Sequence, residues 1–304
     1  MKLSQIEEVS FENAEFGAVL DYLAEKSTAA VGAPVNLVTL GEDTRAIPVT
    51  VQLRAVPLTA LLKYACEAAG CEFVVQSDQT ILVGPAADLA RAQAQWKSAP
   101  VVTGPGTASE TLTRETLHSL ELAEADLGAA VEFLRAQSTN FVILSAADPD
   151  LAATPVTLKL ADVSYATAVR YLVAAAGPEV GFRVDRFAVV FGAPTETVKR
   201  PIPAVELSDP VMRHLMQKRL PEVVIDGASL SEALELVRFH GADYGGGINV
   251  LDQTGEIETA VTLTAKNLPL SEALRYICEQ TATTFTIEGR TLKIEKRPPP
   301  KAKE

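Results

Sequence analysis

Two rhythms of hydrophobic and polar positions alternate along this chain. Val49, Val51 and Leu53, with Thr50, Gln52 and Arg54 between them, repeat with period two, the pattern of a strand buried on one face. Just beyond, Leu58, Leu61, Leu62, Ala65, Cys66 and Ala69 recur at helical spacing and gather on one side. Helix and strand rhythms then succeed each other in the same order three times. Self-similarity of this kind is the first thing to resolve in a sequence, because it fixes the architecture before any single element does.

The helix segment from Val56 to Cys66 recurs from Val163 to Val173 and again from Leu268 to Cys278. Ahead of each lies Pro48-Val49-Thr50-Val51, Pro155-Val156-Thr157-Leu158 or Ala260-Val261-Thr262-Leu263, always eight residues before the matching start. Behind each comes a short strand opened by Phe73, Phe182 or Phe285. The front half repeats as well. Phe11-Glu12-Asn13-Ala14-Glu15-Phe16 matches Leu122 to Leu127 and Ile225 to Leu230, and an amphipathic helix follows each time. A further strand opens at Asn36, Asn140 or Asn249, where the asparagine governs strand entry.

The sequence therefore predicts an α/β (α+β) chain of three tandem small domains. Each has the order β-α-β-β-α-β-β, with two helices packed on small mixed sheets, and a length of about 80 residues suffices for a small core. The domains fall at residues 1–84, 113–193 and 213–297. Residues 85–112 form a helical, then Pro/Gly-containing linker through Trp96, Pro100, Gly104, Pro105 and Gly106. Residues 194–212, with Pro194, Pro201, Pro203 and Pro210, form an extended semi-rigid spacer. Residues 298–304 form a disordered tail. Pro57 and Pro269 are placed in the first turn of their helices, and Gly70 and Gly177 close theirs in the left-handed conformation.

The unit resembles the short N-terminal domain of secretins and TonB-dependent receptors. The likeness rests on Ala228-Ser229-Leu230-Ser231-Glu232-Ala233-Leu234, on Val261-Thr262-Leu263 and on Leu268-Pro269-Leu270-Ser271-Glu272-Ala273-Leu274, and it is sharpest in the third copy. The resemblance implies non-catalytic α/β modules that contact other proteins in cell-envelope secretion or signalling assemblies. The chain carries neither a secretin barrel region nor a TonB-dependent barrel.

Composition narrows the function classes. Basic against acidic residues number 7 to 12 over residues 1–97, 6 to 12 over 98–196 and 14 to 15 over 197–304, for a net charge of −12. Nucleic-acid binding needs a basic surface to displace counterions from phosphate, and no third is net positive. Lys199-Arg200 and Lys218-Arg219 read as solvated linker residues. No run of about 18 apolar residues is present to span a bilayer. The start has no apolar signal core, which implies a cytoplasmic protein, or a periplasmic one whose export signal is missing from this chain.

Candidate chemistry is sparse. Cys66, Cys71 and Cys278 lack paired zinc spacing and read as core thiols, although a Cys66–Cys71 bridge at the helix end is conceivable. His118, His214 and His240 stand at unrelated places in the unit, without triad or metal-ligand partners beside them. Gly245-Gly246-Gly247 lacks the following helix and Lys-Ser/Thr of a phosphate loop, and Asp148 and Asp150 flank Pro149 in a turn. No catalytic, cofactor-binding or metal-binding residue is assigned, and no cofactor is expected. The repeated dyads Lys63-Tyr64, Arg170-Tyr171 and Arg275-Tyr276 have two readings. Each is either an aromatic lid at the core edge beside a solvated cation, or a docking surface for a neighbouring unit or partner.

The function expected is a non-catalytic interaction or scaffold protein that engages a protein partner or associates with itself, by pairing at sheet edges. A nucleic-acid binder with KH-like modules and an enzyme with an unrecognised site are the alternatives.

Overall fold

The computed structural model describes residues 5–41, 43–76, 80–104, 107–137, 141–144, 149–194, 209–255 and 257–297, with backbone alone for 5, 141–144 and 149. Asn140, Pro105, Gly106, Asp148, Lys199, Arg200, Pro201, Pro203 and the tail at 298–304 lie outside the described residues. The fold is of the α/β class.

The first copy runs β1 (Gln5–Glu15), α1 (Phe16–Val31), β2 (Asn36–Thr39), β3 (Pro48–Pro57), α2 (Leu58–Ala68), β4 (Glu72–Val75) and β5 (Thr80–Gly84). Helix α3 (Ala86–Ser98) follows. The second copy is preceded by α4 (Ala108–Arg114). It then runs β6 (Thr116–Asp126), α5 (Leu127–Gln137), β7 (Phe141–Leu144), β8 (Pro155–Ser164), α6 (Tyr165–Ala176), β9 (Gly181–Val184) and β10 (Ala188–Gly192). The third copy is preceded by α7 (Pro210–Gln217). It continues with β11 (Arg219–Ala228), α8 (Leu230–His240), β12 (Asn249–Asp252), β13 (Val261–Pro269), α9 (Leu270–Gln280), β14 (Thr283–Glu288) and β15 (Thr291–Lys296).

Each copy splits its strands between two sheets in the same way. A long antiparallel pair, β1-β3, β6-β8 or β11-β13, stands apart from a three-stranded sheet ordered β2-β5-β4, β7-β10-β9 or β12-β15-β14. In all three of these smaller sheets the first two strands are parallel.

The repeated Val-Thr motif has a specific structural task. Each long pair carries a register shift at the same place, between Phe11 and Ala14, Leu122 and Ala125, or Ile225 and Ala228. At the shift Asn13, Glu124 and Gly227 adopt φ values of 49°, 51° and 62°. Their backbone N–H groups donate to the hydroxyl oxygens of Thr50, Thr157 and Thr262 at 2.9, 3.1 and 3.2 Å. A bulge leaves a backbone donor without a ladder partner, and the threonine supplies one.

Helix boundaries adjust the sequence expectations at several points. Pro57 and Pro269 precede their helices as extended N-cap residues rather than occupying the first turn. Ser164 fills the same place in the second copy, and its hydroxyl accepts from the Thr167 N–H at 3.2 Å. Gly70 has positive φ, as does Ala282 at the corresponding place in the third copy, whereas Gly177, with φ 95° and ψ −168°, lies outside the left-handed helical region expected for it. The spacer expected to be extended as far as residue 212 turns helical at Pro210. There the Asp209 carboxylate accepts from the N–H groups of Val211 and Met212 at 2.8 and 3.2 Å. An acid at the N-cap followed by Pro at the first helical position is a helix start, which outweighs proline's extended preference here.

The chain divides into two compact units. One comprises Met1–Ala99, Ser109–Phe133 and Ala153–Gly181; the other comprises Pro100–Ala108, Leu134–Ala152 and Phe182–Glu304. The boundary passes through the second copy. In the first unit a core forms around Phe16, Leu20, Leu61, Val49 and Val83. In the second unit Ala188 and Val190 of β10 belong to the same core as Leu234, Leu274 and Phe285 of the third copy. A copy's three-stranded sheet thus buries its second face against the copy that follows.

Candidate interaction site

The Lys/Arg-Tyr dyads occupy one position in the second helix of each copy, yet their surroundings differ. Tyr64 is 45% exposed, Tyr171 3% and Tyr276 0%. The strand-opening phenylalanines follow the same series, with Phe73 37% exposed, Phe182 5% and Phe285 2%. Val56 and Leu58 are half-buried, whereas Val163, Tyr165, Leu268 and Leu270 are fully buried. The first copy's second helix is therefore open on a face that is closed in the other two.

In the second copy the cover comes from the segment joining it to the first. Trp96 of α3 meets Tyr171 edge-on at 5.4 Å between ring centres. Its indole N–H donates to the Arg170 carbonyl at 3.0 Å. The Gln95 amide donates to the carbonyl of Val180. Beside them, the first copy's sheet grips β8 through Asn36. The Asn36 side chain accepts from the Ala161 N–H at 2.8 Å and donates to the Ala161 carbonyl at 3.1 Å. Val38, Thr80 and Leu82, on the same face as Asn36, are buried.

In the third copy the cover is ionic. Arg183, on β9, donates to both Glu279 carboxylate oxygens at 2.6 Å. Its Nε lies 3.3 Å from Asp185. Arg275 reaches Asp185 at 3.0 Å and Glu272 at 2.6 Å, and lies over the Tyr276 ring at 4.4 Å. Arg183, Asp185, Arg275 and Glu279 are all buried. Burial alone would disfavour the Arg275 charge. Tyr276, Glu272 and Asp185 outweigh that penalty and hold its pKa above the ordinary value. Burial also drives the Tyr276 phenol well above its usual range. Each carboxylate of the cluster is answered by a guanidinium, so the buried charges are paired.

Arg183, Asp185 and Glu279 are the site residues that the sequence reading passed over. The available signal is Phe182-Arg183-Val184-Asp185, whose period-two alternation reads as an ordinary solvated strand face. Its partners stand on α9, far along the chain.

The remaining sequence candidates are placed separately. Cys66, Cys71 and Cys278 are buried and free. Burial pushes the Cys66 thiol up to about 12 and the Cys278 thiol up to about 11. His118 pairs with Asp162 at 3.0 Å, and His214 lies 3.3 Å from Asp243. The Gly245 carbonyl accepts from Arg290 at 2.7 Å. A shallow groove of about 680 Å³ is lined by Val224, Asp226, Glu232, Glu235 and Phe239. Among the described residues no group of three His, Cys, Asp or Glu side chains is placed to hold a metal ion. Among the described residues, no helix is long and apolar enough to cross a membrane.

No family model, curated protein or solved structure matches the chain. Fold and site together define an α/β repeat chain whose copies share a helix face, open in the first copy and closed by preceding elements in the second and third.

Proposed function

We propose that the protein is a non-catalytic interaction scaffold. Its three modules, similar to the short N-terminal domains of secretins and TonB-dependent receptors, act as docking units in a cell-envelope secretion or signalling assembly. One observation carries this reading: the same helix position is buried by neighbouring elements in the second and third copies and open in the first. A helix position that two of the three copies use for packing against a neighbour is an interface position. Tyr with Arg or Lys suits that use, because aromatic and guanidinium groups anchor interfaces through large buried area and fixed hydrogen-bond geometry. Catalysis asks instead for one special site, and the ionisable residues gathered around Arg275 satisfy one another.

The test is capture from soluble and envelope fractions by the immobilised full chain and by its Tyr64→Asp variant. A polypeptide retained by the wild type and lost with the variant is the expected outcome. Retention of a metabolite, with no polypeptide in either case, would remove the reading.

A further inference from the structure

The open face of the first copy has a counterpart on the third. Leu292, Ile294 and Phe285 turn into the third copy's core, so alternation places Thr291, Lys293 and Glu288 on the opposite face of the β12-β15-β14 sheet. In the first two copies this sheet face is buried, through Thr80 and Leu82 or through Ala188 and Val190. In the third, Asn249 and Leu251 are exposed, and Thr291 and Lys293 are half-exposed.

The two free faces match the interface already formed between the second and third copies. There a paired base and acid on the sheet, Arg183 and Asp185, meet a paired base and acid on the helix, Arg275 and Glu279. On the third copy's sheet Lys293 pairs with Glu288, and on α2 Lys63 pairs with Glu67. Glu288 stands where Asp185 stands in its copy, and Lys63 and Glu67 stand where Arg275 and Glu279 stand. The polar clasp between the first two copies is also matched. Asn249 pairs with Thr291 in the register in which Asn36 pairs with Thr80. Arg54, opposite Glu8, occupies the place of Ala161 opposite Ser119, and Ala161 is the residue that Asn36 grips.

We infer that the third copy's sheet docks on the first copy's α2 face in a second molecule of this chain, giving head-to-tail self-association. Glu288 meets Lys63, Lys293 meets Glu67, and the Asn249 amide reaches the Arg54 backbone. The inference rests on reading the dyad face as a module docking surface, and it names the partner of that face. Contact between two different patches is heterologous, so each added molecule leaves one end open for the next. Because Lys293 replaces the apolar Leu82 and Val190, the contact is more ionic than the internal ones and is screened by salt.

The test is sedimentation velocity of the full chain over a concentration series. Four proteins are compared: wild type, Lys63→Glu with Glu67→Lys, Glu288→Lys with Lys293→Glu, and the chain carrying all four changes. All four positions are at the surface, and a thermal melt checks that each variant is folded. Wild type should grow beyond a dimer with concentration. Raising ionic strength from about 0.1 M to about 1 M, which shortens the Debye length from about 10 Å to about 3 Å, should reverse that growth. Each two-residue swap should weaken association about tenfold or more through like-charge contacts, and the four-residue chain should recover it. Wild type that stays monomeric up to about 1 mM, or swaps that associate like wild type, would overturn the inference. Capture of another polypeptide through Tyr64 by a monomeric wild type would also overturn it while leaving the scaffold reading intact. Monomeric wild type that also captures nothing removes both.

Discussion

The second helices of the first and third copies match, with Leu61 and Leu62 buried where Ala273 and Leu274 are and a basic residue beside a tyrosine, yet one tyrosine is about half exposed and the other is sealed. Lys63 lies 5.9 Å above the Tyr64 ring on an open surface. Arg275 lies 4.4 Å above Tyr276 inside a buried ionic cluster. The helix contributes the same elements in both cases, and the preceding copy decides their energetic weight. Burial at this position belongs to the junction between copies and not to the copy itself.

That comparison can be broken most forcefully by paired truncations. Tyr276→Ala should cost about 3–5 kcal/mol of unfolding free energy, as large buried aromatic truncations do. Tyr64→Ala should stay within about 0.5 kcal/mol. Glu279→Ala removes the bidentate partner of the buried Arg183, leaving it Asp185 alone, and should also cost about 3–5 kcal/mol, against a near-neutral Glu67→Ala. Urea denaturation of the full-length variants measures all four. Equal costs at the two copies would show that the ionic junction carries no weight.

The asparagines give a smaller contrast. Asn36→Ala leaves the Ala161 N–H and carbonyl without their partner and should cost about 1–3 kcal/mol, whereas Asn249→Ala should be nearly silent in dilute protein. Smaller still, and equal across the copies, is the threonine that holds each bulge. Thr50→Val, Thr157→Val and Thr262→Val should each cost about 1 kcal/mol, read as a shift in denaturation midpoint at constant slope. A null effect in one copy would mean that its bulge finds another acceptor.

The alkaline limb of stability should show the gentlest difference. The folded Cys66 thiol has a pKa raised from 9.0 to about 12, so above pH 9 the unfolded chain loses a proton that the folded chain keeps. The folded state then binds more protons, and stability falls as pH rises between those values. Cys66→Val should therefore lose less stability than wild type between pH 9 and about 10, measured by denaturant midpoints. A parallel decline in both would contradict the assignment.

Much of the architecture was legible because it is local. The two hydrophobic periods, the spacing of Pro48, Pro155 and Ala260 ahead of their helices, and the recurring phenylalanines give element order and copy number directly. The Val-Thr repeat was legible as a pattern, but the bulge it serves appears only when the two strands are paired. Helix α7 was hidden by Pro210, which reads as spacer unless Asp209 is recognised as its cap. The ionic junction was the least legible part. Arg183 and Asp185 obey the alternation of an exposed strand, and only the arrival of Arg275 and Glu279, about ninety positions later, makes them interior. The dyads were visible as repeats, but their unequal exposure depends on neighbours that no local window contains.

Nitration of tyrosine in the native full chain, mapped residue by residue, tests the central claim most directly. Tyr64 should react readily at low protein concentration, while Tyr171 and Tyr276, at the same helix position, should remain protected until the chain unfolds. Modification of Tyr276 at a rate comparable to Tyr64 in folded protein would contradict the account, because the face assigned to module docking would then be open in every copy.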